Sequence, residues 1–251
     1  MKDLGTVIKK SINDFFSSPF LGMSILPFVL TTMILFGIFL YIGGEFFQFL
    51  SADFDNGIVP FIDPTAHPFI TSILAFSFVK WIVITFFYLI GGAFIILVSV
   101  ITATLIIGFF TPKIVKVLRE RHYSDIKLKS DFTTTTIIWL YIKLIAAFIG
   151  LMLLCIPLLL LPGVNLLIFN IPFYYLFHNM LVIDVASNIN TQQEYKIIKK
   201  NTRGMLYGAT MTFYILSLIP LVGMIFTVLF VIAISHIMFL KTREIRRQEV
   251  R

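Results

Sequence analysis

The sequence predicts an all-α integral membrane protein, with two long transmembrane helices, two apolar helical hairpins and an amphipathic N-terminal helix in the interface. Three observations predict it. The chain is 58% hydrophobic and 13% charged, with a mean hydropathy of +0.95. A soluble body of 251 residues cannot hide that much apolar surface. Four uncharged runs, residues 15–44, 81–112, 144–183 and 204–240, carry most of the apolar side chains, and runs of that length belong in membranes. Finally, the basic residues behind the net charge of +7 collect in short segments beside those runs. That distribution sets membrane orientation and attracts anionic lipid, and no nucleic-acid-binding motif accompanies it. A single integral-membrane domain over residues 1–251 accounts for all three.

At the N-terminus, Leu4, Val7, Ile8, Ile12, Phe15 and Phe16 recur at helical spacing, with Lys2, Lys9, Lys10, Asn13 and Asp14 elsewhere on the wheel. This reads as an interfacial amphipathic helix. No cleavable signal peptide is expected, because the apolar run that follows is too long for an h-region and no A-x-A-like site ends it. The Ser-Ser-Pro at 17–19 breaks the helix, since proline disfavours helix at the residue before it. A first span is predicted over 23–44, with Pro27 in its early turns. An acidic loop follows, holding Glu45, Asp53, Asp55 and Asp63 among Gly57, Pro60, Pro64 and Pro68. The second run, of 32 uncharged residues, makes a helix of roughly 48 Å at 1.5 Å per residue. It exceeds a hydrocarbon core of about 30 Å and must tilt or protrude. A basic connector begins at Thr111-Pro112, and residues 131–143 read as a further interfacial helix.

Charge sets the topology. Lys80 is the single basic residue between the first two spans, and the other 19 of 20 lie at the N-terminus, in 113–143, in 184–203 and in 241–251. If each later apolar run returns to the side it left, all 19 share one side, which places both termini of a multi-pass protein in the cytoplasm. Runs 144–183 and 204–240 are also too long for single spans, and each has a breaker near its middle. The breakers look alike: LLLLPGVNLLIF (158–169) and LSLIPLVGMIFT (216–227) match at Leu158/Leu216, Leu160/Leu218, Pro162/Pro220 and Val164/Val222. The predicted hairpin tips are therefore Pro162, Gly163, Pro220 and Gly223. Each hairpin either crosses twice or dips in and returns. A turn emerging in water recruits polar residues, whereas these tips are almost wholly apolar, which suits a turn inside the membrane. Backbone at that depth needs protein or a water-filled cavity around it, so neighbours, and a homo-oligomer, are expected.

Motifs for chemistry are absent. There is no P-loop, so no ATP drive of that type, no G-x-S-x-G, and no close metal pair among His67, His122, His178 and His236. Neither an enzyme nor a cofactor or metal is expected. The lone Cys155 excludes an internal disulfide and reads as a packing residue. The intramembrane polar residues are Asn165, Asn170, His178, Asn179 and His236, with Lys80, Asp184 and Arg203 at run edges. Ionisable groups there are functional suspects by default. Asn165, His178, Asn179 and Asp184 form the candidate polar cluster, with His178 as a possible proton carrier. His236, five residues from Lys241, reads as a side chain that snorkels to the interface. Gly204 and Gly208 read as a close-packing face.

In order along the chain stand Phe15-Phe16-Ser17-Ser18-Pro19-Phe20, Ile25-Leu26-Pro27, the Thr111-Pro112 step with its basic connector, two apolar tips, Asp184, and Tyr207-Gly208-Ala209. In this order and spacing the chain resembles the CysZ sulfate-permease family, within the wider group that holds the etoposide-induced membrane protein domain. The resemblance implies two long transmembrane helices, two pairs of hemi-penetrating helices, homo-oligomers, and proton-linked sulfate uptake. It also implies a glycine-hydrophobic-Arg-Arg run that holds sulfate before the Leu-Pro. Here that segment reads Phe20-Leu21-Gly22-Met23-Ser24 without arginine, leaving the Gly22 backbone and the Ser24 hydroxyl as the anion-binding candidates. The expected function is an inner-membrane permease for sulfate or another small anion. The alternative is a membrane scaffold or envelope-interaction protein of the same fold without transport. The expected partners are the lipid bilayer, a small anion and further copies of the chain, with no nucleic acid.

Overall fold

A computed structural model describes residues 2–55, 69, 77–157 and 165–249. Among the described residues there are nine helices and no strand: α1 (Lys2–Phe15), α2 (Ser18–Asp55), α3 (Ser77–Gly108), α4 (Thr111–His122), α5 (Thr134–Cys155), α6 (Asn165–Ile189), α7 (Gln192–Asn201), α8 (Arg203–Ser217) and α9 (Pro220–Glu249). Four have stretches long and apolar enough to cross a membrane: Ser18–Glu45 in α2, Thr85–Gly108 in α3, Thr134–Cys155 in α5 and Leu221–Gln248 in α9. The chain divides into two compact units, Leu26–Ala103, and Met1–Ile25 with Thr104–Arg251.

Within the first of these, α2 and α3 approach closely where side chains are smallest. A Cβ on Gly91 would come within 2.3 Å of the Phe39 ring. Phe39 also stacks on Phe87, with ring centroids 5.6 Å apart. Elsewhere on both helices large apolar side chains face outward, among them Met33, Ile34, Leu89 and Ile90, as lipid-facing helices do.

The second unit is built around α9. From Phe230 to Phe239 every residue of α9 is buried, and a helix apolar on every face belongs at the centre of its neighbours. It packs against α1, α4, α6, α7 and α8. Helices α5 and α6 pair as one hairpin, with Phe148 against Phe173. Helices α8 and α9 pair as the other, with Phe213 stacked on Phe230 at 4.6 Å between centroids. The predicted reversal at Pro162 and Gly163 lies outside the described residues. The second reversal falls at Leu218 and Ile219, and Pro220 opens α9, at the N-terminal turn where its missing N–H costs least. Leu218, Ile219 and Leu221 are all exposed. Gly223 is required here: a Cβ would lie 2.7 Å from the Cα and 2.8 Å from the carbonyl oxygen of Ser217.

Two expectations are corrected. Residues 131–143 are not a separate interfacial helix. The chain stays non-helical to Thr133, whose hydroxyl accepts from the Thr136 N–H at 3.2 Å, and α5 then runs unbroken through Lys143. The apolar stripe of α1 is also split. Val7 and Phe15 are buried together with Ser11 and Asp14, while Ile8, Ile12 and Phe16 are exposed. The small and polar line of the helix wheel thus lies within the face that meets α9.

Helix α7 is held at its start by a capping box. The Thr191 N–H donates to Glu194 Oε2 at 2.9 Å, and the Glu194 N–H donates to the Thr191 hydroxyl at 3.2 Å. Glu194 also takes Arg246 Nε at 2.6 Å and Nη2 at 3.1 Å, tying α7 to α9. Burial pushes the Glu194 carboxyl up, but the Arg246 fork, the Thr191 N–H and the Arg246 charge outweigh it and hold the pKa below the ordinary value. A depressed carboxylate pKa stabilises the fold above the unfolded-state value, about 4.3. That stability is lost as pH falls through the lower folded value. Thermal melts in mild detergent should therefore show wild type losing stability from about pH 5 downward, with a shallower loss in Glu194→Gln. Identical slopes would refute the assignment.

Candidate functional site

A polar seam runs between α6 and α8. Asn170, Tyr174 and His178 recur every four residues on α6, which places them on one face. Tyr207, Thr210 and Tyr214 answer them from α8. At one end Tyr214 donates to Asn170 Oδ1 at 2.7 Å. In the middle Tyr174 donates to the Tyr207 carbonyl at 2.8 Å and lies 3.2 Å from the Thr210 hydroxyl. At the other end His178 Nδ1 meets the same hydroxyl at 2.7 Å. Thr210 donates its single proton to the Leu206 carbonyl at 2.8 Å, so it accepts from His178, and Nδ1 carries the hydrogen. The eight-residue rise from Asn170 to His178 is about 12 Å. None of these side chains is acidic, so the seam offers neutral hydroxyl, amide and imidazole dipoles inside an otherwise apolar hairpin pair.

Beyond His178 the seam opens on a basic corner. Tyr207 stacks on His178 with centroids 4.0 Å apart, and the Arg203 guanidinium sits over the Tyr207 ring at 5.5 Å. Asn179, next along α6, accepts from Lys199 Nζ at 2.9 Å, and Tyr195 lies 3.3 Å from the same nitrogen. Burial, then the charge of Arg203, draws the Lys199 pKa below that of an ordinary lysine. A cavity of about 430 Å³ lies here, lined by Lys196, Lys199, Lys200, Arg203 and Tyr207.

The sequence-predicted site residues are distributed differently. His178 and Asn179 are neighbours, but one turns to α8 and the other to α7. Asp184 takes the Thr111 hydroxyl at 2.5 Å, on α4. Asn165 opens α6, and its side chain lies outside the described residues. Gly22 and Ser24 are inside α2, which begins four residues before Gly22. The buried Ser24 hydroxyl donates to the Ile225 carbonyl, so it has no donor left for an anion. His236 does not snorkel. It is fully buried and faces α1.

That contact is one sequence reasoning missed. Asp14 accepts from His236 Nε2 and His122 Nε2, both at 2.9 Å, with Arg121 Nη1 3.7 Å away. On the far side of the imidazole, His236 Nδ1 meets the Tyr123 hydroxyl at 2.8 Å. Burial pushes the Tyr123 phenol up to about 12, so it keeps its proton and donates to the neutral ring. The only local hint was an acid on the buried line Val7-Ser11-Asp14 of α1. Among the described residues, no three His, Cys, Asp or Glu side chains are arranged to hold a metal ion.

The model of one protein family, described as sulfate transporter CysZ/etoposide-induced protein 2.4, matches residues 7–227. No curated protein and no solved structure matches the chain.

Proposed function

The chain belongs to the sulfate transporter CysZ/etoposide-induced protein 2.4 family, and from that premise we propose that it is an inner-membrane permease for sulfate or another small anion, not an enzyme. The observation that carries this reading is the acid-free seam of α6 and α8, leading to a corner with four cations. The seam holds no carboxylate, so no like charge on it would add to the desolvation cost of an anion drawn from that corner, and its engaged hydroxyls would exchange their partners for the anion as it passes.

In the same reading both hairpins dip into the membrane from the cytoplasmic side without crossing it. Two observations support this for the second hairpin, although α5 and α9 are themselves long enough to cross. Helix α8 has 15 residues, about 22 Å, short of the roughly 30 Å core. The tip at Leu218, Ile219 and Leu221 is apolar and exposed. Apolar faces left open on α2 and α3 suit lipid and further copies of the chain. Labelling tests the depth: with Cys155→Ser as background, Val222→Cys should resist an impermeant maleimide added from the periplasmic side, and strong labelling would establish full spans.

A second reading, a scaffold of the same fold without transport, is favoured by the segment Leu21-Gly22-Met23, which lacks arginine, and by the engagement of Ser24. Radiolabelled sulfate uptake into proteoliposomes separates the two, since only the permease accumulates label.

A further inference from the structure

We propose that the basic cavity at the α7–α8 corner is a binding site for a tetrahedral oxyanion, a sulfate or phosphate group that arrives either free or as the headgroup of an anionic lipid. This deepens the transport reading by giving the seam a mouth that collects anions, and it rests on that reading only for the further passage of the anion.

The spacing is the first argument. Lys196, Lys199, Lys200 and Arg203 stand at positions i, i+3, i+4 and i+7, which stacks four positive charges along one side of the α7–α8 corner. Like charges at these spacings repel. Elsewhere in the unit three cations beside α9 are offset, Arg246 by Glu194, Arg243 by Asp125 and Lys241 by Glu244, while others such as Lys113, Lys116 and Lys143 form no ion pair with a described carboxylate but do not converge on this cavity. None of the four cavity cations forms an ion pair with a described carboxylate. The nearest acid in sequence, Glu194, is turned to α9.

The second argument is fixation. Lys196, Lys200 and Arg203 are exposed, as in a cluster that only marks the cytoplasmic side. Lys199 is instead half-buried and held by two neutral oxygens, Asn179 Oδ1 and the Tyr195 hydroxyl, at 2.9 and 3.3 Å. An ammonium has three donors, so one remains beyond these two contacts. Arg203 is placed by its stack on Tyr207, and Tyr207 by its stack on His178. A guanidinium fork and an ammonium on the wall of a cavity of about 430 Å³ suit a tetrahedral oxyanion, and the space exceeds a single sulfate, leaving room for a headgroup.

The test uses the full chain in nanodiscs. In neutral phosphatidylcholine discs, sulfate and inorganic phosphate are titrated by calorimetry. In discs containing phosphatidylglycerol, retained lipid is read by native mass spectrometry. Lys199→Gln and Arg203→Gln should each weaken oxyanion binding, or phosphatidylglycerol retention, by about tenfold or more. Lys199→Arg should keep it, and Lys113→Gln on the exposed side of α4 should change nothing. Binding only in the first arm identifies a free oxyanion, and retention only in the second identifies a headgroup. Either supports the site. It is overturned if the glutamine variants, folded by circular dichroism, match wild type in both arms, or if neither ligand binds wild type. Sulfate uptake that persists in variants with wild-type binding sinks this site and leaves the permease standing. Variant-sensitive binding without any uptake does the reverse.

Discussion

Asp14→Ala is expected to cost about 3 kcal/mol of stability, at the upper end for leaving a buried donor unsatisfied. The carboxylate accepts from two imidazoles at 2.9 Å, one of them on the fully buried His236. Alanine leaves the His236 Nε2–H without an acceptor among apolar neighbours, and an orphaned buried donor bears its full desolvation penalty. The Tyr123 hydroxyl serves the other ring nitrogen, so a shift of tautomer would only exchange the orphaned Nε2–H for an unsatisfied Nε2 acceptor. For a chain of this size the melting temperature should fall by roughly 6–12 °C. Asp14→Asn should cost less, since its amide oxygen still accepts from one ring. In a double-mutant cycle, Asp14→Ala and His236→Phe should be strongly coupled, because the second substitution removes the donor that the first orphans. A melt unchanged by Asp14→Ala, or strict additivity of the pair, would show that this contact does not hold α1 to α9.

Gly223→Val should open the second hairpin. Even a Cβ at 223 would fall 2.7 and 2.8 Å from backbone atoms of Ser217, and backbone cannot swing aside as a side-chain end does. The Gly223 N–H also donates to the Ile219 carbonyl at 2.7 Å, closing the first turn of α9 over the tip. Overpacking of this kind costs about 1–3 kcal/mol, and valine at a backbone contact belongs at the upper end. Gly223→Ala should show a smaller loss of the same sign. Protease sensitivity near Leu218 and the detergent melt read both. Gly208→Ala on α8 is the control, since a Cβ there meets nothing within 4 Å. Equal tolerance at 223 and 208 would contradict the close approach.

The helices were legible because hydrophobic runs and breakers are local properties of the chain. Pro220 and Gly223 identify the second tip from the sequence, and the fold adds why glycine is needed there: a Ser217 backbone that no periodicity reveals. The end of the second run was less legible. The Thr111-Pro112 step marks a break, yet the turn itself falls at Phe109 and Phe110, since proline is accommodated in the first turn of the next helix. Site residues were the least legible. His178 stood out as an ionisable group in an apolar run, but Tyr174, Thr210 and Tyr214, which complete the seam, look like ordinary helix-face residues until α6 and α8 are side by side. Asp14 and His236 are 222 positions apart, so neither local composition nor spacing could pair them. The wheel assigned Asp14 to water because it weighs polarity alone, whereas the imidazole opposite it makes burial affordable.

Sulfate flux through the α6–α8 seam is the most direct test of the proposed permease. Purified protein reconstituted in liposomes should accumulate radiolabelled sulfate. Tyr174→Phe and Thr210→Val, each shown to melt like wild type, should each lower the initial rate by about tenfold, the equivalent of roughly 1.4 kcal/mol of lost hydrogen bonding. Tyr174→Phe deletes the donor to the Tyr207 carbonyl, and Thr210→Val deletes the acceptor of His178. Tyr41→Phe, far out on the exposed face of α2, should transport as wild type does. Wild-type rates in both seam variants, or no sulfate uptake by the unaltered protein, would contradict the account.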